Sequence, residues 1–334
     1  MEAYLPVIWA ILIATAVALY VILDGFDLGI GILFPFVRRE EERDAMMNSI
    51  APFWDGNETW LVLGGGGLWV AFPRAYAVIM PALYLPVIVM LLALIFRGVS
   101  FEFRFASKPK HGMWDFAFAV GSILAAFSQG VILGGLIQGI VVVNGEFAGG
   151  PFDWATPFAL MCGVGLVVGY ALLGATWLIA RVEGPLADWA RRQAGPLLAV
   201  VLLFIALVSL WTPYEFERIA ERWFSTPNIY FLWPVPLLTA ALGFIAWRAL
   251  RRKAEFLPFA AAAGLFVLCF LGLAISTFPY LVPPTLTIWD TAAVPASQVF
   301  TLIGVIFMLP IILGYFAFVF WTFRGKVRVG EGYH

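Results

Sequence analysis

Uninterrupted apolar stretches constrain this chain more than any other feature. Runs such as "LPVIWAILIATAVALYVILDGFDLGIGILFPFV" (5–37) and "FTLIGVIFMLPIILGYFAFVFWTF" (300–323) exceed the ~20 residues that carry a helix across a bilayer. Only 12% of the residues are charged and 62% are hydrophobic, against about 25% charged in soluble proteins. The expected fold is therefore an all-α polytopic integral membrane protein, its helices packed as bundles, with residues 1–334 forming one integral membrane domain. Nucleic acid is excluded as a partner, and membrane lipid is implied.

The runs place spans near 5–37, 50–72, 76–101, 116–142, 155–180, 195–213, 231–250, 257–278 and 298–322. That makes about nine transmembrane helices. Eight is the alternative, because "IAPFWDGNETWLVLGGGGLWVAF" (50–72) mixes a polar cluster with four glycines. The distribution of basic residues favours nine. Arg38, Arg39 and Arg43 follow the first span, Arg104, Lys108 and Lys110 the third, and Arg181, Arg191 and Arg192 the fifth. Arg248, Arg251, Arg252 and Lys253 follow the seventh, and Arg324, Lys326 and Arg328 the ninth, whereas the loops after even-numbered spans carry few cations. By the positive-inside rule the N-terminus is outside and the C-terminus cytoplasmic. The opening "MEAYLPVIWA" has no basic n-region and reads as the start of a retained first span.

Two carboxylates, Asp24 and Asp27, interrupt the first span. Each costs about 2.5–3.5 kcal/mol at mid-membrane unless compensated. They share a helix face, and Gly25 and Gly29 form a small-xxx-small pair that admits a neighbouring helix, so the acidic face should point into protein. Asp55 and Glu58 repeat the three-residue spacing in the second span. At 1.5 Å per residue, Asp27 lies roughly 15 Å from Val37 and Asp55 roughly 10 Å from Asn48. Arg97, with Glu102 and Arg104 nearer the exit, supplies ion-pair partners. Acids stepping from the cytoplasmic surface toward mid-membrane suit a proton path, Asp24, Asp27, Asp55 and Glu58 being its candidates. Structural ion pairs and helix-capping carboxylates are the competing explanation, above all for Glu58. A carboxylate-bridged metal pair lacks its histidine partner, so no metal site is assigned.

Other features read as architecture. Gly64 to Gly67 lack the Lys and Ser/Thr of a phosphate loop and suit close helix packing. Asn57 begins a glycosylation tripeptide that falls inside a span. Gln129, Gln138 and Asn144 suit helix–helix hydrogen bonds. Cys162 and Cys269 read as small core residues. Phe216, Ile219, Ala220 and Trp223 mark a short interfacial helix between Tyr214 and Tyr230. The only histidines are His111 in a loop and His334 at the end. Haem usually wants imidazole at depth, so the chain alone is a poor electron carrier, and no catalytic or cofactor-binding residue is assigned to it.

"DGFDLGIGIL", "NSIAPFWDGNETWLV", "FRGVSFEFR", "FPYLVPP" and "TIWDTAA", in that order, resemble the hallmark segments of subunit II of the cytochrome bd quinol oxidases, including the cyanide-insensitive group. The resemblance spans most of the chain. It implies a respiratory complex of the bacterial cytoplasmic (inner) membrane in which a larger subunit I holds haem b, haem d and the quinol-oxidising loop. That complex oxidises quinol, reduces O₂ to water and takes the protons from the cytoplasm. Subunit II is implied to be non-catalytic alone and to contribute Asp55 of "WDGN" and the aspartates of "DGFD" to the proton route. A structural quinone and a small single-span accessory subunit are further implied components. Phe53 stands where some relatives carry histidine, which would move the start of the route.

The competing class is a proton-coupled secondary transporter, which calls for inverted repeats and paired broken helices around a midplane site. Pro81, Pro86, Pro234 and Pro236 lie mostly near helix starts and form no such pair, and no repeat is visible at the level of residue identity. A scaffold subunit with inert ion pairs is the third reading.

Overall fold

The computed structural model describes residues 4–107 and 111–328; Lys108, Lys110 and His334 fall outside them. The chain runs from α1 (Leu5–Leu33), through a 3-10 turn (Phe34–Phe36), into a short α2 (Glu40–Asn48). α3 (Trp54–Ala71), α4 (Pro73–Ala82), α5 (Tyr84–Ala106) and α6 (Gly112–Gln138) follow. A two-stranded hairpin, β1 (Val142–Val143) and β2 (Glu146–Phe147), leads to α7 (Pro157–Arg181) and α8 (Pro185–Glu215). Next come α9 (Glu217–Phe224), α10 (Asn228–Leu232), α11 (Pro234–Arg251) and α12 (Leu257–Thr277), then β3 (Tyr280–Val282), β4 (Leu286–Thr287) and α13 (Pro295–Thr322). The all-α expectation holds.

Eight of these helices are long and apolar enough to cross a membrane, and α3 with α4 forms a broken ninth candidate bent by 120°. Pro73 offers no N–H to the preceding turn and Phe72 leaves the helical region at φ −135°, ψ 60°, which separates α3 from α4 at the boundary expected after residue 72. Two other sequence boundaries are corrected. The run expected at 76–101 splits at Leu83 (φ −118°, ψ 19°) into α4 and α5, where Pro86 offers no N–H to the Ala82 carbonyl. The run expected from residue 50 starts at Trp54, since residues 49–53 form turns after α2. α3 nevertheless traverses the bundle by itself. It lies antiparallel to α1, with Asn57 bonded to Asp27, Gly64 opposite Val17 and Gly67 opposite Ile13; its 18 residues rise about 27 Å. Following the helix contacts, the described residues pass through the bundle nine times, and the two ends of the chain lie on opposite faces.

One of those faces carries Arg43, Arg104, Arg181, Arg191 and Arg251. Here Lys326 pairs with Glu255 at 2.7 Å, Arg191 donates to the Ala254 carbonyl at 3.0 Å, and Arg181 donates to the Phe323 carbonyl. The other face is built from loops. Asn144 and Gly145, both at positive φ, turn the β1–β2 hairpin, so Asn144 serves a turn and not a helix contact. α9 settles there with Ile219 buried and Arg218 donating to the Ile137 carbonyl at 2.5 Å, as its amphipathic spacing led one to expect. The "TIWDTAA" loop closes over the broken helix: the Ala293 amide donates to the Ala71 carbonyl, Gln298 Nε2 donates to that same carbonyl at 3.1 Å, and Trp9 Nε1 donates to the Gln298 carbonyl at 3.2 Å. The carbonyl freed by the break is thus doubly satisfied.

At the centre α1, α5, α6 and α7 form the tightest packing, α8, α11 and α12 pack outside α7, and α13 touches the rest mainly through α3 and α1. Gly29 and Gly174 let α1 and α7 approach backbone to backbone: a Cβ on Gly29 would strike the Tyr170 carbonyl, and one on Gly174 would strike the backbone of Gly29. This is the neighbour that the small-xxx-small pair announced. Of the four consecutive glycines, Gly64 and Gly67 face α1, while Gly65 and Gly66 face open space. Cys162 is half-buried but Cys269 is exposed; in lipid an apolar side chain gains nothing by pointing inward, so the core assignment fails for the latter.

Replacing Gly29 by leucine should lower the thermal stability of the purified protein by at least the 1–3 kcal/mol typical of overpacking, measured by thermal unfolding in detergent. Gly66→Ala, at an open position, should melt within a degree or two of the parent.

Candidate functional site

The buried stripes of α1 and α3 decide what meets at the centre. On α1 the stripe runs Trp9, Ala16, Tyr20, Asp24 and Asp27; on α3 it runs Asn57, Trp60, Gly64, Gly67 and Ala71. The second stripe follows the three-four spacing of a helix seam. Asn57 therefore faces Asp27, donating from Nδ2 to Oδ2 at 2.7 Å and to the Leu23 carbonyl at 3.2 Å. Asp55, two residues earlier, lies in the first turn of α3 with its side chain exposed. Its placement 10 Å along a continuous helix from Asn48 is thus overturned, because the intervening residues are turns.

Arg97 of α5 enters between these helices and is fully buried. Its Nη1 lies 2.6 Å from Glu58 Oε1 and 3.0 Å from Asp24 Oδ1, and its Nη2 lies 3.7 Å from Asp27 Oδ2. The Trp54 ring covers the guanidinium at 5.8 Å. Asp24 and Asp27 are inaccessible, whereas the Glu58 side chain is 28% exposed. One cation thus serves three carboxylates. At an effective dielectric of about 20, a pair 4 Å apart gains about 4 kcal/mol, enough to offset one carboxylate at mid-membrane but not three that also repel each other. Both Asp24 oxygens, Asp27 Oδ1 and Arg97 Nε and Nη2 lack an aligned hydrogen-bond partner among the described residues, so the cluster keeps unused donor and acceptor capacity.

Beside it Gln129 donates to the Tyr20 hydroxyl at 2.7 Å and accepts from the Tyr170 hydroxyl at 2.8 Å, joining α1, α6 and α7. Gln138 likewise accepts from Thr156 Oγ1 at 2.6 Å. Both behave as the inter-helix bonds expected of them.

Sequence reasoning missed a second cluster, nearer the basic face. Arg104 is fully buried and donates to Asp115 at 2.6 Å, Asp44 at 2.5 Å and Glu40 at 2.8 Å. Arg43 reaches Asp115 at 3.0 Å, and His111 lies 3.1 Å from Glu40 and 3.2 Å from Asp115. Glu40, His111 and Asp115 could converge on a cation, but Arg104 and Arg43 already occupy those carboxylates, so the group is a cross-link between α2, α5 and α6. Glu102 is exposed and joins no ion pair among the described residues. The seven-residue step from Arg97 to Arg104 was a signal available in the sequence, since it puts both arginines on one face of α5.

Between the clusters lies an aromatic layer. Trp54 stacks on Phe101 at 5.2 Å, Phe101 meets Phe118 at 5.9 Å, and Phe118 meets Phe34 at 5.2 Å. The serines there turn onto their own helices: Ser100 donates to the Arg97 carbonyl and Ser122 to the Phe118 carbonyl. Phe53 is a packed aromatic, stacked on Phe320 at 4.5 Å and 5.3 Å from the Arg181 guanidinium.

Comparison with known proteins agrees with the sequence resemblance. Residues 5–323 match the family model described as cytochrome bd terminal oxidase subunit II. The chain is 31% identical to the cytochrome bd-I ubiquinol oxidase subunit 2 of Escherichia coli K12, covering 96% of this chain and 94% of that one. It is 28% identical to the cytochrome bd ubiquinol oxidase subunit 2 of Bacillus subtilis 168, covering 97% of each. A chain of the bd oxidase structure from Geobacillus thermodenitrificans shares the fold, with a TM-score of 0.80 at 18% identity over 96% of this chain and 98% of that one.

If Arg97 holds the centre together, Arg97→Leu should cost roughly 3–5 kcal/mol, the usual penalty for stranding a buried charge. Adding Asp24→Asn and Asp27→Asn should recover at least half of the lost melting temperature. A single Arg97→Leu variant that melts like the parent would show that the ion cluster is not what stabilises the bundle.

Proposed function

A chain matched from residue 5 to residue 323 belongs to the cytochrome bd terminal oxidase subunit II family, and from that premise we propose that it carries protons toward the oxygen-reducing centre of a partner. The pairing is with a haem-bearing subunit I in the cytoplasmic membrane of a bacterium, N-terminus outside and basic face cytoplasmic. The observation that carries the proposal is Arg97, buried among Asp24, Asp27 and Glu58, with Glu58 alone reaching the protein surface.

Haem ligation does not fit this chain's histidines. His111 lies outside the helices that cross the bundle and is engaged with Glu40 and Asp115 on the basic face, and His334 lies outside the described residues. Haem b and haem d therefore belong to the partner. The reaction of the complex takes four electrons from two quinols and four protons from the cytoplasm to turn one O₂ into two waters. This chain's share is proton delivery. Asp55, exposed in the first turn of α3, collects protons, and Glu58, three residues on and at the edge of the cluster, receives them. Asp24 and Asp27 pass them on while Arg97 balances the charge of whichever carboxylate is ionised. With a single guanidinium present, charge balance at this depth is met when two of the three carboxylates hold protons. Charge separation then needs a conduit and no conformational pump. A coupled transporter would call for a matching pair of broken helices; among the described residues only α3 and α4 form such a break.

Glu58→Gln and Asp27→Asn should each lower quinol-driven O₂ uptake by the intact complex about tenfold or more at pH 8 and less at pH 6, because the proton supply that becomes limiting thins as pH rises. Haem content and anaerobic haem reduction by quinol should not change. Turnover like the parent's across pH, in a fully haemylated complex, would sink the proton role. Orientation is checked separately: green fluorescent protein fused to the C-terminus should fluoresce, and alkaline phosphatase fused there should be inactive.

A further inference from the structure

Away from the ionic clusters, α8 and α11 leave an open groove of about 430 Å³ on the outer surface of the bundle, with Gly195, Ala199 and Leu202 on one wall and Gly243, Phe244 and Trp247 on the other. The helices are antiparallel, and Gly243 sits directly under Leu202. From Gly195 to Leu202 the groove runs about 10 Å along α8, and the rim up to Arg192 brings the span to about 15 Å, half of a ~30 Å hydrocarbon core and so the depth of one leaflet. Its floor is glycine and alanine, its walls are apolar, and it closes before the opposite face.

The mouth is strongly cationic. Arg251 lies over the Trp247 ring at 5.0 Å, so a residue lining the groove also positions a guanidinium at its entrance. Arg192 stands one turn before Gly195 on α8, and Arg248 adjoins Trp247; both are exposed and without an ion pair among the described residues. Arg252 and Lys253 extend the same rim. The acids nearby are Asp188, one turn before Arg192, and Glu255, which Lys326 engages at 2.7 Å. A slot one acyl chain deep with a surplus of guanidinium at its headgroup end has the complementarity of an anionic phospholipid.

We propose that the α8–α11 groove is a specific site for one anionic phospholipid, its phosphate held by Arg192 and Arg251 and one acyl chain lying on Gly195, Ala199 and Gly243 beside Trp247. A neutral zwitterionic lipid would fill the same slot without the charge term, so the site selects by headgroup and not by tail. Nothing in this inference depends on the proton route.

The test is photo-crosslinking in the detergent-purified complex, using phosphatidylglycerol or phosphatidylcholine with a diazirine in one acyl chain, and mapping the labelled peptides. The expected result is labelling of residues 195–202 and 243–247 by the phosphatidylglycerol probe at least tenfold above the phosphatidylcholine probe. Arg192→Gln and Arg251→Gln should each reduce it about fivefold, and both residues are exposed, so folding is spared. Ala199→Phe, which fills the groove and leaves the arginines, should abolish labelling there by both probes. Equal labelling by the two probes, undiminished labelling in the double arginine variant, displacement by millimolar inorganic phosphate, or a co-purified protein helix crosslinked in the groove would each overturn the proposal.

Discussion

A single guanidinium that water does not reach organises the middle of this protein. Arg97 sits on α5 but its partners come from α1 and α3, and α3 meets α5 chiefly where Trp54 lies against Phe101 and Gly98. The ion cluster is thus what fastens the second crossing to the third. Moving a lone arginine or a lone carboxylate to this depth is costly; moving them together, on helices whose stripes already face each other, costs less. The same reasoning explains why the acids occupy the seam of α1: a stripe that reads Trp9, Ala16, Tyr20, Asp24, Asp27 changes from apolar to polar as it descends toward the basic face.

The architecture repeats that solution at a second level. Arg104, two turns further along α5, gathers acids from α2 and α6 and thereby pins the short α2 segment beneath the bundle. On the opposite face, where charge is scarce, neutral groups do the fastening: Gln298, Trp9 and the Ala293 amide close around the Ala71 carbonyl that the kink at Phe72 leaves free. The late segment "TIWDTAA" earns its place there, because Asp290 takes up both the Thr287 amide, at 2.9 Å, and the Thr287 hydroxyl, at 2.6 Å. Those bonds hold its carboxyl below the usual range and shape the turn that reaches Ala71.

Much of this was legible in the residues. Run length and the alternation of basic loops were enough for an all-α bundle of nine crossings, since both follow from the bilayer and not from tertiary detail. Asp24, Asp27 and Arg97 stood out for the same reason: hydrocarbon makes charge conspicuous. The break between α4 and α5 was hidden because both halves are apolar and only the backbone of Leu83 betrays it. The role of Asn57 was hidden because two carboxylates flank it and drew the attention, yet the spacing of Trp60, Gly64, Gly67 and Ala71 already puts Asn57 on the seam and Asp55 off it. Cys269 was misplaced by carrying over a rule from water, where apolar side chains have a reason to turn inward.

The aromatic layer of Phe34, Phe101 and Phe118 has an electrical meaning. Each proton that slips across a membrane held at 100 mV dissipates about 2.3 kcal/mol, so a continuous polar thread from the basic face through the Arg104 and Arg97 clusters would act as a short circuit whenever the chain stood alone. The layer interrupts that thread with rings whose neighbouring serines are already committed to their own helices. What remains open is the flank at Glu58, on the lateral surface of the chain. If the proposed proton route runs through Glu58, it would carry protons only with a partner docked against that flank, and an unassembled copy of this chain would be left insulated.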